Sequence, residues 1–119
     1  MGNLYLIKPT LDMEAEAMAY RQEYFDYGEG HINGSAGFAR YDNYGEWLAR
    51  VQSLEKDAYV SGNIHASTYF SVRTCDNKII GTIQLRHGLS EELRKHGGHI
   101  GYGIRPAERR KAMQANNWL

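Results

Sequence analysis

The hydrophobic and polar positions at the start of the chain predict a strand followed by a helix. The short apolar run NLYLIKP is closed by Pro9 and is typical of a first strand. Thr10 is placed to cap the helix that follows, and Asp12 and Glu14 lie where the helix dipole favours acids. Gly28 and Gly30 end that helix. Its apolar residues recur at helical spacing, so we expect a buried face made of Leu11, Ala15, Met18 and Phe25.

A second helix follows a long polar loop. The segment EGHINGSAGFARYD is glycine-rich and aperiodic, which is typical of a loop that carries function. Asn43 and Glu46 match a capping box at the start of the next helix. Its predicted apolar stripe, which continues until the helix ends near Asp57, consists of Trp47, Leu48, Val51 and Leu54.

From Thr68 onward the pattern changes to the period of two that strands show. CDNK supplies a turn and IIGTIQLRH returns, so residues 68–87 are predicted to form a β-hairpin. The segment HIGYGIRP is a further strand that ends at Pro106, a residue suited to the first position of a helix. In the hairpin's first strand, Thr68, Phe70 and Val72 face one side and Tyr69, Ser71 and Arg73 the other; in the later strand, Ile100, Tyr102 and Ile104 alternate with His99, Gly101 and Gly103.

The predicted order is therefore β-α-α-β-β-β-α in a single domain of 119 residues. This is an α/β or α+β layout in which two helices cover a mainly antiparallel sheet.

Composition narrows the class of protein. The formal net charge of zero argues against nucleic acid or an anionic membrane as a partner. Cys75 is the only cysteine, which excludes an intrachain disulfide framework and fits a reducing compartment. Because the sequence also has no signal-peptide pattern and no apolar stretch of transmembrane length, we expect a cytoplasmic protein.

Most residues whose side chains could take part in catalysis or binding have an ordinary structural interpretation. Glu23, Asp26 and Glu29 are interpreted as a solvated helix face, although they are also suited to attract an amine. Cys75 has no feature of a nucleophile. The tyrosines near the two helices are mainly packing residues: Tyr24, Tyr27, Tyr41, Tyr44 and Tyr59. No metal site is predicted, because the histidines lack the spacing of ligand pairs: His31, His65, His87, His96 and His99.

The junction between the last strand and the last helix is the strongest candidate site. Gly101 and Gly103 allow the strand to splay or bulge and so to expose backbone groups that no neighbouring strand takes. The helix start beyond Arg105 presents N–H groups to an anion, with Arg109, Arg110 and Lys111 nearby. The alternative is a bulge without a ligand and a solvated basic helix start.

The element order, the strand GGHIGYGIRP and the ERRK that follows resemble the N-terminal two-thirds of the GNAT superfamily, the acetyl-CoA-dependent N-acetyltransferases. The resemblance runs from LYLIKPT through HIGYGIRPAERRK, nearly the whole chain. The family has a loop of pattern Arg/Gln-x-x-Gly-x-Gly/Ala after this strand, and Arg109 falls on its first position. The resemblance implies backbone contacts to the pantetheine arm of acetyl-CoA and a pyrophosphate loop. The cofactor-binding residues implied are Tyr102, Gly103, Ile104, Arg109, Arg110, Lys111, Ala112 and Gln114.

The sequence departs from the family pattern at the end of that loop. Ala112 stands where the family has glycine, and Gln114 stands where it has glycine or alanine. A side chain at either position hinders close approach of the backbone to a phosphate. From residue 112 the segment AMQANNWL does not resemble the family, so the chain is expected to be a domain truncated within its acetyl-CoA-binding motif.

The resemblance implies transfer of an acetyl group from acetyl-CoA to an amine acceptor, impaired by this truncation, and no residue is identified as the catalytic base. The alternative is a non-catalytic fragment or interaction module. In either case the fourth strand is expected to expose an unpaired edge and apolar surface, which favours a homodimer whose interface includes residues from about Gly98 onward.

Overall fold

A computed structural model describes residues 3–56, 65–87 and 100–109. Four strands pair antiparallel in one sheet, in the same order as they follow one another along the chain. Two α-helices precede the second strand, and residues 106–109 are helical after the last. The strands and helices are β1 (Leu4–Ile7), α1 (Glu14–Asp26), α2 (Tyr44–Lys56), β2 (His65–Arg73), β3 (Lys78–His87) and β4 (Ile100–Ile104). The protein is thus mixed α and β with an antiparallel sheet, as the sequence predicts.

The start of α1 differs from the prediction. A 3₁₀ turn at Leu11–Met13 comes first, and α1 begins only at Glu14. The Thr10 side chain does not cap a backbone N–H group; its hydroxyl instead bonds the Asp12 carboxylate. The predicted cap is wrong because this side-chain bond competes with capping.

The buried face of α1 is also not the predicted one. Leu11 is 68% exposed and Ala15 is exposed, whereas Met18 and Phe25 are only partly buried. The face that packs on the sheet has the same helical spacing but different residues: Ala17, Tyr20, Arg21 and Tyr24. Tyrosine and arginine fill this face because each finds partners for its polar atoms inside the protein.

The predicted end of α1 is confirmed. Gly28 has φ of +79°, and the N–H groups of Gly28 and Glu29 donate to Phe25 O and Tyr24 O at 2.9 and 2.8 Å. These two bonds form a Schellman motif, in which a glycine in the left-handed conformation satisfies the last helix carbonyls.

The second helix follows the prediction closely. The Asn43 side chain accepts from the Glu46 N–H at 3.0 Å, which is the first half of the capping box. The predicted stripe is buried throughout: Trp47, Leu48, Val51 and Leu54. The Trp47 ring stacks between Phe38 and Phe70, with centroids 4.2 and 5.6 Å away, and so joins the long loop, α2 and the sheet in one core.

The hairpin is confirmed, with one irregularity. Asn77 has φ of +56° in the turn between β2 and β3. Ser71 pairs with Gly81 and Val72 with Ile79, so Ile80 is an extra residue on β3. The β-bulge is therefore in β3, whereas β4 pairs with β3 in an unbroken register from Ile100 to Ile104. The bulge expected at Gly101 and Gly103 is not present.

Within the described residues, none of the helices combines the length and the apolar character that a membrane span requires.

Candidate functional site

The glycines of β4 accommodate the loop between α1 and α2, whose backbone lies directly on this strand. A Cβ atom on Gly103 would lie 2.7 Å from Asn33 O, and one on Gly34 would overlap the Gly101 carbonyl and lie 2.6 Å from Tyr102 Cα. Gly34 also has φ of +65°, in the region that favours glycine. The close approach of two backbones therefore explains Gly34 and Gly103 without a bulge, whereas a Cβ on Gly101 would meet only ordinary contacts, the nearest at 3.4 Å.

Buried and partly buried hydrogen bonds hold this loop against the sheet. Trp47 Nε1 donates to Ser35 O at 2.7 Å, and Thr82 Oγ1 donates to Asn33 O at 3.0 Å. The Arg21 guanidinium donates to Phe38 O and Ala39 O at 3.1 and 3.3 Å, which fixes the end of the loop to α1. The loop is thus an ordered wall over β4.

The outer edge of β4 directs the backbone groups of Tyr102 away from the sheet. The Arg105 N–H donates to Ile80 O at 2.6 Å, so position 105 belongs to a hydrogen-bonded pair. Hydrogen-bonded and non-hydrogen-bonded pairs alternate along an antiparallel ladder. Gly103 therefore faces β3, whereas the N–H and C=O groups of Tyr102 and Ile104 face outward. In agreement, Ile104 O accepts from Arg109 Nε at 3.1 Å.

Two neighbouring clefts follow this edge and share His31, Asn33 and Tyr102 in their walls. The larger, about 750 Å³, extends along the loop toward Arg40, Arg86 and Ile100. The smaller, about 430 Å³, lies between the C-terminal end of α1 and the end of β4. Its walls are Tyr24, Glu29, His31, Asn33, Tyr102, Gly103, Ile104 and Arg109. We call this smaller cleft the β4 pocket.

The structure brings together four of the residues that the sequence singles out as cofactor-binding. Tyr102, Gly103, Ile104 and Arg109 all line the β4 pocket. The other four lie outside the described residues and stay predictions: Arg110, Lys111, Ala112 and Gln114.

Arg109 is held by an acid rather than directed freely into the pocket. Its Nη2 atom lies 2.8 Å from both carboxylate oxygens of Glu29, and its guanidinium lies 5.8 Å from the centroid of the Tyr24 ring. Both side chains of the ion pair are more than one-third exposed. An anion at this position therefore has to compete with a carboxylate that water partly screens.

The helix start after β4 is occupied by a side chain of α1. Glu23 Oε2 accepts from the Ala107 N–H at 2.8 Å, and Glu23 Oε1 accepts from Arg105 Nη1 at 3.0 Å. The next two N–H groups, of Glu108 and Arg109, donate to Arg105 O. The proposed anion contact at this first turn is thus replaced by an internal acid. Glu23 and Glu29 are ion-paired, although Glu29 also remains more than one-third exposed, whereas Asp26 is exposed.

A chain of hydroxyl groups, which sequence reasoning missed, connects the β4 pocket to the core. Tyr24 Oη lies 2.9 Å from Tyr20 Oη, which lies 3.1 Å from Thr82 Oγ1. Burial raises the pKa of both tyrosines, so both hydroxyls remain neutral at physiological pH. The spacing of Tyr20 and Tyr24 by one helical turn is a sequence signal for adjacency, but no signal marks Thr82 as their partner.

The remaining candidates are the other tyrosines, Cys75 and the possible metal ligands. Tyr44 is buried, Tyr41 is partly buried and Tyr27 is 53% exposed, whereas Tyr59 lies outside the described residues. Cys75 is exposed in the hairpin turn. Within ranges 3–56, 65–87 and 100–109, no three histidine, cysteine or acidic side chains converge in a way that would hold a metal ion.

Comparison with family models, with curated proteins and with solved structures finds no match to this chain.

Proposed function

We propose that this chain is an N-acetyltransferase-type domain of the GNAT kind that binds acetyl-CoA along the outer edge of β4. The observation that carries the proposal is the outward-facing backbone of Tyr102 in the wall of the β4 pocket. One N–H and one C=O group at the same residue match the amide groups of a pantetheine arm. Such a ligand lies along the edge as an added strand does.

Arg109 contributes the positive charge of the site. It lies one helical turn beyond the end of β4 and lines the same pocket as Tyr102. A pyrophosphate near this turn competes with Glu29 for the guanidinium, and phosphate oxygens suit its planar fork. Arg110 and Lys111, which follow directly in the sequence, add further charge to this proposal.

The proposed reaction is direct acyl transfer. The amine nitrogen attacks the thioester carbonyl carbon, a C–N bond forms, the C–S bond breaks, and the CoA thiolate leaves. A base removes the proton of the attacking nitrogen, and the thiolate takes up a proton. Backbone N–H groups of the β4 edge are suited to stabilise the oxyanion that develops on the carbonyl. The base is not assigned to any residue.

A proline substitution at Tyr102 tests the backbone contact. Tyr102→Pro removes the outward N–H, and because this group takes no part in the ladder with β3, an edge position tolerates the change. We expect Tyr102→Pro to weaken acetyl-CoA binding about tenfold in isothermal titration, the value of one hydrogen bond. The matched control, Tyr102→Ala, keeps the N–H and should bind more tightly than the proline variant. Equal affinities of the two variants would contradict the proposal.

The predicted loop residues Ala112 and Gln114, which lie outside the described part of the chain, allow a second test of the proposal. Ala112→Gly combined with Gln114→Gly removes the two side chains that hinder approach of the backbone to a phosphate. We expect the double variant to bind acetyl-CoA more tightly than the natural sequence. Unchanged affinity would remove these residues from the proposed site.

The second candidate function is pairing with another copy of the chain through the same strand. It is favoured by the 59% exposure of both Ile100 and Tyr102 on a strand whose outer backbone groups have no strand partner among the described residues. Unpaired edges promote strand addition. Light scattering at micromolar concentration tests it: twice the chain mass is expected, and a monomer throughout would contradict it.

A further inference from the structure

Three hydroxyl groups form a line that ends on a backbone carbonyl. From the β4 pocket inward, the contacts are Tyr24 Oη to Tyr20 Oη at 2.9 Å, Tyr20 Oη to Thr82 Oγ1 at 3.1 Å, and Thr82 Oγ1 to Asn33 O at 3.0 Å. Each hydroxyl has one proton to donate, whereas a carbonyl oxygen only accepts. There are thus three protons for three contacts.

Only one arrangement gives every contact a proton. Thr82 donates to Asn33 O because the carbonyl has no proton of its own. Thr82 then accepts from Tyr20, and Tyr20, whose proton is thereby used, accepts from Tyr24. Any other arrangement brings two lone pairs together in a buried position, which costs free energy. The Tyr24 proton therefore points into the core.

We propose that the Tyr24 hydroxyl is a fixed hydrogen-bond acceptor in the wall of the β4 pocket, and that this pocket therefore selects ligands that offer an N–H group. Tyr24 lines the pocket and its side chain is almost fully buried, so its remaining lone pair is available only from the pocket side. The missing side chain of Gly103 gives the hydroxyl its place, since a Cβ there would lie 3.0 Å from Tyr24 Oη.

The direction of the hydroxyl chain, rather than the charged groups nearby, carries this selectivity. Glu29 also lines the pocket beside Tyr24, but both of its carboxylate oxygens accept from Arg109. The burial that raises the pKa of Tyr24 keeps its proton on the hydroxyl, so the direction of the chain persists across the neutral pH range. In the proposed function the N–H belongs either to a pantetheine amide or to the acceptor amine. The ligand's identity rests on that function, but the direction of the hydroxyl chain does not.

A pair of small amides tests the selectivity without CoA. N-methylacetamide and N,N-dimethylacetamide both carry a carbonyl, but only the first has an N–H. We expect N-methylacetamide to shift the backbone NMR signals of Tyr102 and Gly103, with affinity about fivefold or more above that of the dimethyl compound. In Tyr24→Phe, which keeps the ring, this difference should disappear. Equal affinities in the natural protein, or a difference that survives in Tyr24→Phe, would overturn the proposal.

Interrupting the line of hydroxyl groups one residue further into the core, at Tyr20, provides the sharper control. Tyr20→Phe removes the group that accepts the Tyr24 proton, so the proton is free to turn into the pocket. The preference for N-methylacetamide should then weaken, because the pocket now also offers a donor to the dimethyl compound, which can only accept. Neutron diffraction gives a check that needs no variant: a Tyr24 deuteron directed at Tyr20 agrees with the proposal, and one directed into the pocket contradicts it.

The source of the N–H is decided with coenzyme A as probe. If Tyr24→Phe weakens coenzyme A binding about fivefold, the donor is a pantetheine amide. If Tyr24→Phe leaves coenzyme A affinity unchanged but abolishes the amide selectivity, the N–H group belongs to the amine that accepts the acetyl group. Failure of coenzyme A to bind the natural protein at all would contradict the proposed function, whereas absence of the amide selectivity in the natural protein would contradict this inference.

Discussion

Gly34 shows how a single missing side chain positions the candidate site. Its backbone lies against the Gly101 carbonyl, and its φ of +65° is strained for any other residue. This contact holds the loop over β4 and so forms the wall that both clefts share. Glycine at this position is required by geometry and does not depend on a ligand.

Three glycine-to-alanine substitutions separate the effects of contact and conformation. Gly34→Ala introduces both a steric clash with β4 and a strained positive φ, so it should lower the free energy of unfolding by at least about 2 kcal/mol. Gly28→Ala meets only the penalty of positive φ, since nothing lies within 4 Å of its Cβ, and should cost about 1 kcal/mol. Gly30→Ala meets neither and should change little. Urea denaturation measures the stability of all three variants, and equal losses of stability would contradict the close contact at Gly34.

The two helices show which features of the sequence predict packing and which do not. The sequence predicts the stripe of α2 because Trp47, Leu48, Val51 and Leu54 are all apolar. It does not predict the buried face of α1, because that face contains Tyr20, Arg21 and Tyr24. Those polar groups are satisfied by Thr82 and by loop carbonyls distant in the sequence, and such partners are visible only in the folded chain.

The candidate site was predictable to a similar extent. Tyr102, Gly103, Ile104 and Arg109 share a pocket, as their place at the end of a strand suggests. The acids that hold Arg105 and Arg109 lie near the end of α1 and just beyond it, and the loop that covers Gly101 and Gly103 follows α1. These contacts join residues about 70 to 80 positions apart, and no local pattern reports such contacts.

Lysine substitutions on α2 test its packing face. Val51 is 3% exposed, and Val51→Lys would bury an unpaired charge, so we expect a loss of about 3 kcal/mol or more in the free energy of unfolding. Ala49 lies on the exposed side of the same helix, and Ala49→Lys should change stability by less than about 0.5 kcal/mol. Similar midpoints of thermal unfolding for both variants would show that the assigned face is wrong.

Glu23 links α1 to the helical turn after β4, and removing its charge tests that link. The Arg105 side chain is only 5% exposed, so loss of its nearest carboxylate leaves a buried charge under-compensated. We expect Glu23→Gln to lower the free energy of unfolding by about 2 kcal/mol, measured by urea denaturation. Asp26→Asn, on an exposed position of the same helix, is the control and should be near neutral. An unchanged free energy of unfolding for Glu23→Gln would show that this ion pair does not stabilise the fold.

The whole molecule has one sheet edge that serves both proposed functions. Ligand binding and strand pairing each use the outward backbone groups of β4, so they exclude one another. The opposite edge, β1, also exposes apolar side chains, with Leu4 and Leu6 55% and 52% exposed. A dimer through β1 would leave the β4 pocket open, whereas a dimer through β4 would close it.

If both proposals hold, this exclusion predicts that the oligomeric state responds to acetyl-CoA. If copies pair through β4, acetyl-CoA should convert the dimer to monomer as its concentration rises, because it binds only the open edge. Light scattering during a titration measures the change, and Leu6→Lys on β1 should leave it unaltered. A dimer that persists at saturating acetyl-CoA would place the interface elsewhere.

Binding of acetyl-CoA to the β4 edge is the central claim, and an NMR titration of the isotope-labelled chain tests it most directly. We predict saturable shifts of the backbone signals of Tyr102, Gly103 and Arg109, with a Kd above about 1 μM because, in the proposed pyrophosphate loop, the side chains of Ala112 and Gln114 would hinder approach of the backbone to a phosphate. The signals of β1, at the other edge of the sheet, should not move. Saturable shifts confined to residues outside the β4 pocket, or no shifts at millimolar acetyl-CoA, would contradict the claim.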